Sequence, residues 1–516
     1  MALAQHPAIA FIGFMGAGKS TAARAAAAAL GQSAVDVDEV IEAKLGESIA
    51  AVFERNGEAA FRRLEEEVTL DLLQRGGVLA LGGGAVESEA ICAALSDHVV
   101  AWCRVDEQTA WKRSRGTGRP LAAARDLFAD RFNRRAPMYR SVARMTLPEG
   151  GHVTGREAAP WLAAMTESPR VRIAWAKSES GSYPAVVGIG AVGLLESQRI
   201  RGALPKRLFA VADSNALAHH GELMPAVAGL IEVDGNTYAK SLAEAERILR
   251  ELATQGARRD DAVIALGGGV VGDLAGFCAA TYQRGVPVIQ VPTTLVAQVD
   301  AAYGGKTGVD LPEAKNYVGA FHLPSAVLAD PATLASLPRE ELAAGYAEVL
   351  KTALIAGGDL WERVRELDEL NPSALEEIVF ACALTKLDVV AADERDTGRR
   401  AVLNLGHSVG HAVEAATGYK RFRHGEAVGL GMLAALRLSG ASELRTEVAG
   451  LLERQGLPTR IEPATSIDAV IDALAMDKKS TAAGVAFVLL ERAGEPREGQ
   501  LVDDASVRAA VAELMG

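Results

Sequence analysis

The chain has 516 residues, 49% of them apolar, enough for three or four domains each with its own core. Its net charge of −12 gives no sign of a nucleic-acid surface and leaves any anionic substrate to locally placed cations. No apolar run reaches the roughly 18 residues of a spanning helix and the N-terminus has no basic leader, so no membrane is expected and a cytoplasmic location is.

Ile9–Ile12 is a short apolar strand that runs into Gly13, Gly16, Ala17, Gly18, Lys19, Ser20 and Thr21, then into an alanine-rich helix. This strand, glycine loop and helix are the context a P-loop requires. Its backbone N–H groups can wrap phosphate oxygens, Lys19 can neutralise β/γ charge, and Ser20 can ligate Mg²⁺. In AVDVDEVIEAKLG the alternation places Asp36 and Asp38 on one side of a strand end, near the expected γ-phosphate. One could hold Mg²⁺ and the other a hydroxyl; without the P-loop beside it such a pair reads first as a solvated acidic turn. Arg62 and Arg63 open a helix, and more arginines cluster around Gly116 and Gly118, suggesting a carboxylated acceptor and a lid. Cys92, Cys103, Cys278 and Cys382 lie far apart among apolar neighbours and read as reduced core residues.

The motifs GFMGAGKST, DVDEVIE, FRRLE, LALGGGAV, GRPL and RRAPMYR follow in order, and with them residues 1–168 resemble shikimate kinase. The resemblance implies an α/β P-loop kinase with a parallel sheet that moves the ATP γ-phosphoryl to a hydroxyl of shikimate. By matching position, Asp38, Arg62, Gly82, Gly83, Gly84 and Arg135 would bind shikimate, and Asp36 with Ser20 would hold Mg²⁺. Gly13, Gly16, Ala17, Gly18, Lys19, Ser20, Thr21 and the lid residue Arg119 would bind ATP, with Lys19 and Arg119 catalytic. A short helix, REAAPWLAAM, is expected to close this domain, and TESPR to link it to the next.

From 169 to 330 the pattern is that of a second α/β domain. VRIAWA, YPAVVGIGAV and RLFAVAD read as strands, the last ending in Asp213, where a nucleotide fold holds a ribose hydroxyl. Ala262–Gly267 runs into Gly268, Gly269 and Val270 and on to Asp273, a glycine turn that fits GxGxxG only loosely. ALGGG occurs at 80–84 and again at 265–269 and reads as one device used twice. Gly304-Gly305-Lys306-Thr307 imitates the end of a P-loop, but Asp300 stands where its first glycine should be, so no second ATP site is expected. Arg284, Lys306 and Lys315 with Asn316 read as loop residues between apolar strands, facing an anionic substrate; loop lysines on the surface are the alternative.

From 331 to 516 the apolar spacing is helical except at VAFVLLERAG, a hairpin strand. Glu348 and Lys351 lie one turn apart on one helix, so a metal ligand and a substrate cation can share a face. His407 and His411 stand at i and i+4 if SVGHAVEAA is helical, and the Gly418-Tyr419 break lets His424 close a third side. An i, i+4 histidine pair alone reads first as a hydrogen-bonded core pair; the third histidine shifts the reading to Zn²⁺ or a similar ion completed by an acid.

With GGGVVGDLAGF, TYQRG, VPTTLVAQVD, GGKTGVD, AEVLK, ADERDTGRRAVLNLGHSVGHAVE, HGEAVGLGM and DKK in order, residues from about 170 onward resemble 3-dehydroquinate synthase. The resemblance implies a Zn²⁺ or Co²⁺ ion on Glu348, His407 and His424, and a bound NAD⁺ that transiently oxidises the substrate before phosphate elimination, re-reduction and ring closure. It places Asp213, Lys240, Gly268, Gly269, Val270, Asp273, Thr293, Thr294, Asp300, Lys306 and Lys315 at NAD⁺. It places Arg284, Asp300, Lys306, Lys315, Asn316, Lys351, Lys386, Arg400, Asn404, His411 and Lys478 at a heptulosonate phosphate, with Arg284, Lys306, Lys351 and His411 catalytic. One departure stands in the cofactor loop: Thr237, three residues before Lys240, occupies a position usually acidic in the family. The whole is thus expected to be a bifunctional enzyme of aromatic biosynthesis acting on small molecules, with a homodimer formed through the synthase part. The alternative is a P-loop nucleotide-binding module fused to a metal-dependent polyol or alcohol dehydrogenase, marked by net NADH production.

Overall fold

The computed structural model describes residues 7–115, 124–168, 170–462, 465–475, 480–481 and 484–515. Arg119 and Lys478, both expected at the sites, lie outside the described residues. The chain forms two compact units, the first made of Met1–Ala176 with Gly193–Lys206 and the second of Lys177–Val192 with Arg207–Gly516.

The first unit opens with β1 (Ile9–Ile12), α1 (Lys19–Ala29), β2 (Ala34–Asp36), α2 (Val37–Leu45), α3 (Ile49–Arg75) and β3 (Val78–Ala80). It continues with α4 (Glu89–Leu95), β4 (Val99–Cys103), α5 (Glu107–Ser114), α6 (Arg125–Val142), β5 (Met145–Leu147), α7 (Gly151–Met165), β6 (Arg172–Lys177) and α8 (Gln198–Arg201). Its strands run parallel in the order β2-β3-β1-β4-β5-β6. The chain leaves β1 towards β2 and β3 and returns on its other side as β4, so the carboxyl end of β1 is the switch point at which α/β sheets bind ligands. The glycine loop occupies that end. Every residue of β1 is buried, as expected of a strand covered on both faces. α3 is kinked at Gly57 (φ 76°), and Arg62 and Arg63 lie one turn beyond the kink.

The second unit begins with β7 (Ser182–Val187), β8 (Leu208–Asp213), α9 (Ser214–His220), β9 (Gly229–Val233), α10 (Leu242–Thr254), β10 (Ala262–Gly267), α11 (Gly269–Thr281) and β11 (Val288–Pro292). β12 (Lys306–Leu311) and β13 (Ala314–Phe321) pair as an antiparallel ribbon, and β14 (Ala326–Ala329) returns to the parallel sheet, ordered β7-β14-β11-β10-β8-β9. Lys306, Lys315 and Asn316 therefore stand on strands and not in loops as expected. Leu311 pairs with Ala314 around a two-residue turn, which converts the tract into a hairpin. The switch point here lies between β8 and β10, whose carboxyl ends carry Asp213 and the Gly267–Gly269 turn. ALGGG serves differently in the two places: after β10 it opens an α-helix, and after β3 it leads only into a single 3₁₀ turn, Ala85–Glu87.

Helices follow: α12 (Arg339–Ala356), α13 (Gly358–Arg365), α14 (Pro372–Ala392), α15 (His407–Ala416), α16 (His424–Leu438), α17 (Ser442–Arg454) and α18 (Ile467–Ala475). The expected hairpin appears as β16 (Gly484–Leu490) with β17 (Pro496–Val502), beside β15 (Ser480–Thr481) and ahead of α19 (Asp504–Ala512). Close packing sets the metal-competent face. A side chain at Gly425 would overlap the carbonyl of Ala344, and one at Gly431 that of Gly406, so the glycines allow α16 to touch α12 and the start of α15 backbone to backbone. Among the described residues no helix is long and apolar enough to cross a membrane.

Candidate active sites

In the first unit, Gly18 caps α1 in the left-handed region (φ 84°), and no side chain caps that end. The first-turn amides therefore face outward, a ready cradle for phosphate oxygens. Lys19 Nζ lies over the loop and donates to the Phe14 carbonyl at 3.3 Å, while Arg113 donates to the Gly16 carbonyl at 3.3 Å. Asp36, at the end of β2, accepts the Asp38 amide at 3.0 Å and so caps α2.

The acceptor residues implied by the resemblance converge on the Gly82–Gly84 turn. A methyl group at Gly82 would lie 3.2 Å from Asp38 Oδ1, one at Gly83 3.9 Å from Lys19 Nζ, and one at Gly84 would overlap the Arg62 guanidinium. Arg135 is buried and donates to the Gly83 carbonyl at 3.0 Å, joined there by the Tyr139 hydroxyl at 2.6 Å, and pairs with Glu87 at 2.5 Å. Two carboxylates that sequence reasoning missed, Glu87 and Glu65, orient these cations. Glu65 is buried 2.5 Å from Arg62 Nη1. Burial pushes its carboxyl above the ordinary range, with Arg62 opposing. Its position three residues after Arg62 on one helix was the available signal.

In the second unit, Asp213 caps α9 by accepting the Ala216 amide at 2.8 Å, and Gly235 packs directly on its carboxylate. The N-terminus of α11 has no side-chain cap, so its amides are open beside the glycine turn, and a Cβ on Gly268 would sit 2.9 Å from Thr294 Cγ2. Lys240 Nζ joins Asp273 at 2.6 Å and also donates to Asn316, fastening the ribbon to α11.

The helices then bring four expected residues together. His407 Nε2 and His424 Nε2 lie 3.7 and 3.3 Å from Glu348 Oε1, and ring atoms of His407, His411 and His424 fall within 4.8 Å of one another. Glu348 is 1% exposed, and neither of its carboxylate oxygens makes a well-angled hydrogen bond. A buried carboxylate left in that state beside inward imidazole nitrogens is a donor set suited to a divalent cation. His407 Nδ1 lies 3.2 Å from the Leu405 carbonyl and His424 Nδ1 3.3 Å from Glu414 Oε2, which leaves both Nε2 atoms towards Glu348.

Charge is balanced around this cluster. Lys351 Nζ is 2.5 Å from Glu348 Oε2 and 3.9 Å from Asp300 Oδ1, and Lys386 donates to both the carbonyl and carboxylate of Asp300 at 2.6 Å. Burial alone would protonate Glu348, but Lys351 and then the histidines hold its carboxyl well below the usual range. Burial pushes His407 down to about 3, so its imidazole is neutral, the form a metal needs. Burial opposes charge on His424 as well, yet the Glu348 and Glu414 carboxylates, each 3.3 Å from a ring nitrogen, outweigh it and raise that ring above its ordinary value.

The remaining expected residues are placed less uniformly. Lys315 sits 3.3 Å from Glu414 and 4.2 Å from the Tyr419 ring centroid, and Lys306 pairs with Asp396. Arg400 is buried and spends its donors on the Glu394 and Gly304 carbonyls at 2.6 and 3.2 Å, while Asn404 donates to Ala401 at 3.1 Å. Arg284 is exposed in a left-handed turn (φ 70°), and among the described residues no hydrogen bond or ion pair joins it to the others.

The first unit has the fold and loop of a P-loop phosphotransferase, and the second is a nucleotide-type α/β domain with a metal-competent helical cluster. Family comparison makes this specific. The shikimate kinase family matches residues 15–164, the 3-dehydroquinate synthase N-terminal domain residues 230–344, and the corresponding C-terminal domain residues 345–480. A 3-dehydroquinate synthase of Symbiobacterium thermophilum is 44% identical over 332 residues, 61% of this chain and 92% of that protein. The crystal structure of a 2-deoxy-scyllo-inosose synthase complexed with carbaglucose-6-phosphate, NAD⁺ and Co²⁺ aligns with a TM-score of 0.59 at 25% identity, covering 66% of this chain and all of that one. A 2-epi-5-epi-valiolone synthase from Streptomyces hygroscopicus subsp. jinggangensis, with NAD⁺ and Zn²⁺ bound, aligns with the same TM-score at 27% identity, covering 66% and 98%. The chain belongs to the 3-dehydroquinate synthase family and carries a shikimate kinase domain ahead of it, so it is an enzyme of the shikimate pathway with a kinase and a synthase in one polypeptide.

Proposed function

We propose that residues 1–168 phosphorylate shikimate from Mg²⁺-ATP, and that residues 169–330 and 331–516 together convert 3-deoxy-D-arabino-heptulosonate 7-phosphate into 3-dehydroquinate and phosphate. For the second reaction the carrying observation is the convergence of Glu348, His407, His411 and His424 beside the paired lysines Lys351 and Lys386. A divalent ion on Glu348, His407 and His424 would supply Lewis acidity towards substrate oxygens. NAD⁺, with its pyrophosphate at the open N-terminus of α11 and its ribose near Asp213, would supply a transient oxidation. The chain's own side chains do the rest: Lys306, Lys315 and Lys386 bind the anionic ends of the substrate, and Lys351 keeps Glu348 ionised.

In the kinase, Lys19 meets the β/γ-phosphates, Ser20 and Asp36 serve Mg²⁺, and Asp38, Arg62 and Arg135 hold the acceptor. Replacing Lys19 by alanine is expected to lower shikimate-dependent ADP formation by roughly 10²–10³-fold and leave phosphate release by the synthase within twofold. Gly84→Ala forces Arg62 aside without touching the ATP loop. A coupled assay should show the shikimate KM raised roughly tenfold, the loss of about one charge-assisted contact, and an unchanged ATP KM.

The test of the synthase reading is phosphate release from the heptulosonate phosphate by the full chain, with NAD⁺ and a divalent metal present and absorbance monitored for NADH. Phosphate without accumulating NADH, stopped by chelation, supports it. NADH from simple polyols without phosphate release refutes it.

A further inference from the structure

Glu414 belongs to none of the residue sets above, yet it is the carboxylate against which the metal-competent cluster is built. Its side chain is 4% exposed and both oxygens are engaged, Oε2 with His424 Nδ1 and Oε1 with Lys315 Nζ, each at 3.3 Å. The backbone fixes it from the other side: the Glu414 carbonyl accepts the Tyr419 amide at 2.8 Å and the Thr417 hydroxyl at 3.2 Å, closing the end of α15. Along that helix Glu414 follows His411 by three residues and His407 by seven, so all three project from one face. Oε1 is engaged by Lys315, which in turn lies 4.2 Å from the Tyr419 ring centroid, so the carboxylate is restrained on the side away from His424.

We propose that Glu414 is a positioning residue for the metal: it accepts the His424 Nδ1 proton and thereby fixes the ring and tautomer that direct Nε2 at the ion. A ligating imidazole whose other nitrogen is held by a carboxylate is both oriented and made more basic, and loss of such a partner commonly weakens metal binding by about 10–100-fold. His407 gets the equivalent restraint from a backbone carbonyl, which no substitution of its partner residue removes. Glu414 is therefore the point at which ligand geometry can be altered while every ligand remains. The inference rests on the proposed metal site.

The experiment is a Co²⁺ titration of the full metal-stripped chain, followed by visible absorption and calorimetry, for the unaltered protein, Glu414→Gln and Glu414→Asp. Glutamine keeps the shape and removes the charge, and aspartate keeps the charge and withdraws it from the ring. Both are expected to bind Co²⁺ about 10–100-fold more weakly, with a shifted absorption band. A role confined to packing would lower the melting temperature and leave affinity and band unchanged, and that result overturns the proposal. If the glutamine variant does not fold, the aspartate variant alone separates the two outcomes. If the unaltered chain binds no Co²⁺, the metal site itself falls and this inference with it; normal Co²⁺ binding by a folded variant removes only the role of Glu414.

Discussion

His407→Ala is expected to abolish phosphate release, by about 10⁴-fold or more, while shikimate phosphorylation stays within twofold of the parent. The size follows from what the ring contributes. A Lewis acid supplies several kcal/mol of charge stabilisation, and each 1.4 kcal/mol is about tenfold in rate. Removing one imidazole of the set leaves Glu348 and His424, too few protein donors for a site that ordinarily uses three. The specificity follows from placement, since His407 opens α15 in the second compact unit and the phosphate loop begins α1 in the first. Both activities, measured on one preparation together with its metal content, test the two parts of the expectation. Retained phosphate release in a metal-free variant contradicts the ligand assignment, and simultaneous loss of kinase turnover contradicts the independence of the sites.

The parts of these sites that can be read from sequence are those whose partners are close in the chain. The P-loop occupies nine consecutive residues, and a strand before it with a helix after it leaves little freedom of conformation. His407, His411 and His424 are legible for the same reason, once α15 gives the first two a common face and Gly418 (φ 64°) turns the chain back. Glu348 and Lys351 sit one helical turn apart, and their contact is a local one. The failures have a different form. Glycines and a proline interrupt the tract that holds Lys306, Lys315 and Asn316, so it reads as loops, yet pairing across the turn at Pro312-Glu313 makes a ribbon, and strand pairing is a non-local choice. Glu414 lies on the same helical face as two candidate ligands, but what distinguishes it is contact with His424 ten residues on and Lys315 ninety-nine residues back. Single-sequence periodicity records which face a residue occupies, and it carries no information on what that face meets.

Lys351→Met carries the largest expected effect on stability. The ammonium group is 1% exposed and lies between two carboxylates, Glu348 at 2.5 Å and Asp300 at 3.9 Å. Methionine fills a similar volume, so the loss is chiefly one of charge: Glu348 loses the ammonium that offsets its burial, whereas Asp300 retains Lys386 at 2.6 Å. Breaking a buried pair by removing one partner costs about 3–5 kcal/mol. At about 2 °C per kcal/mol for a unit of this size, the metal-free protein should melt roughly 6–10 °C lower. A divalent cation on Glu348 would replace the missing positive charge, so the deficit should shrink when Zn²⁺ or Co²⁺ is added. Differential scanning calorimetry of parent and variant, each with and without metal, makes the comparison. A deficit that metal does not reduce argues that Glu348 is no ligand, because a cation held at that carboxylate must compensate whatever charge the lysine gave up.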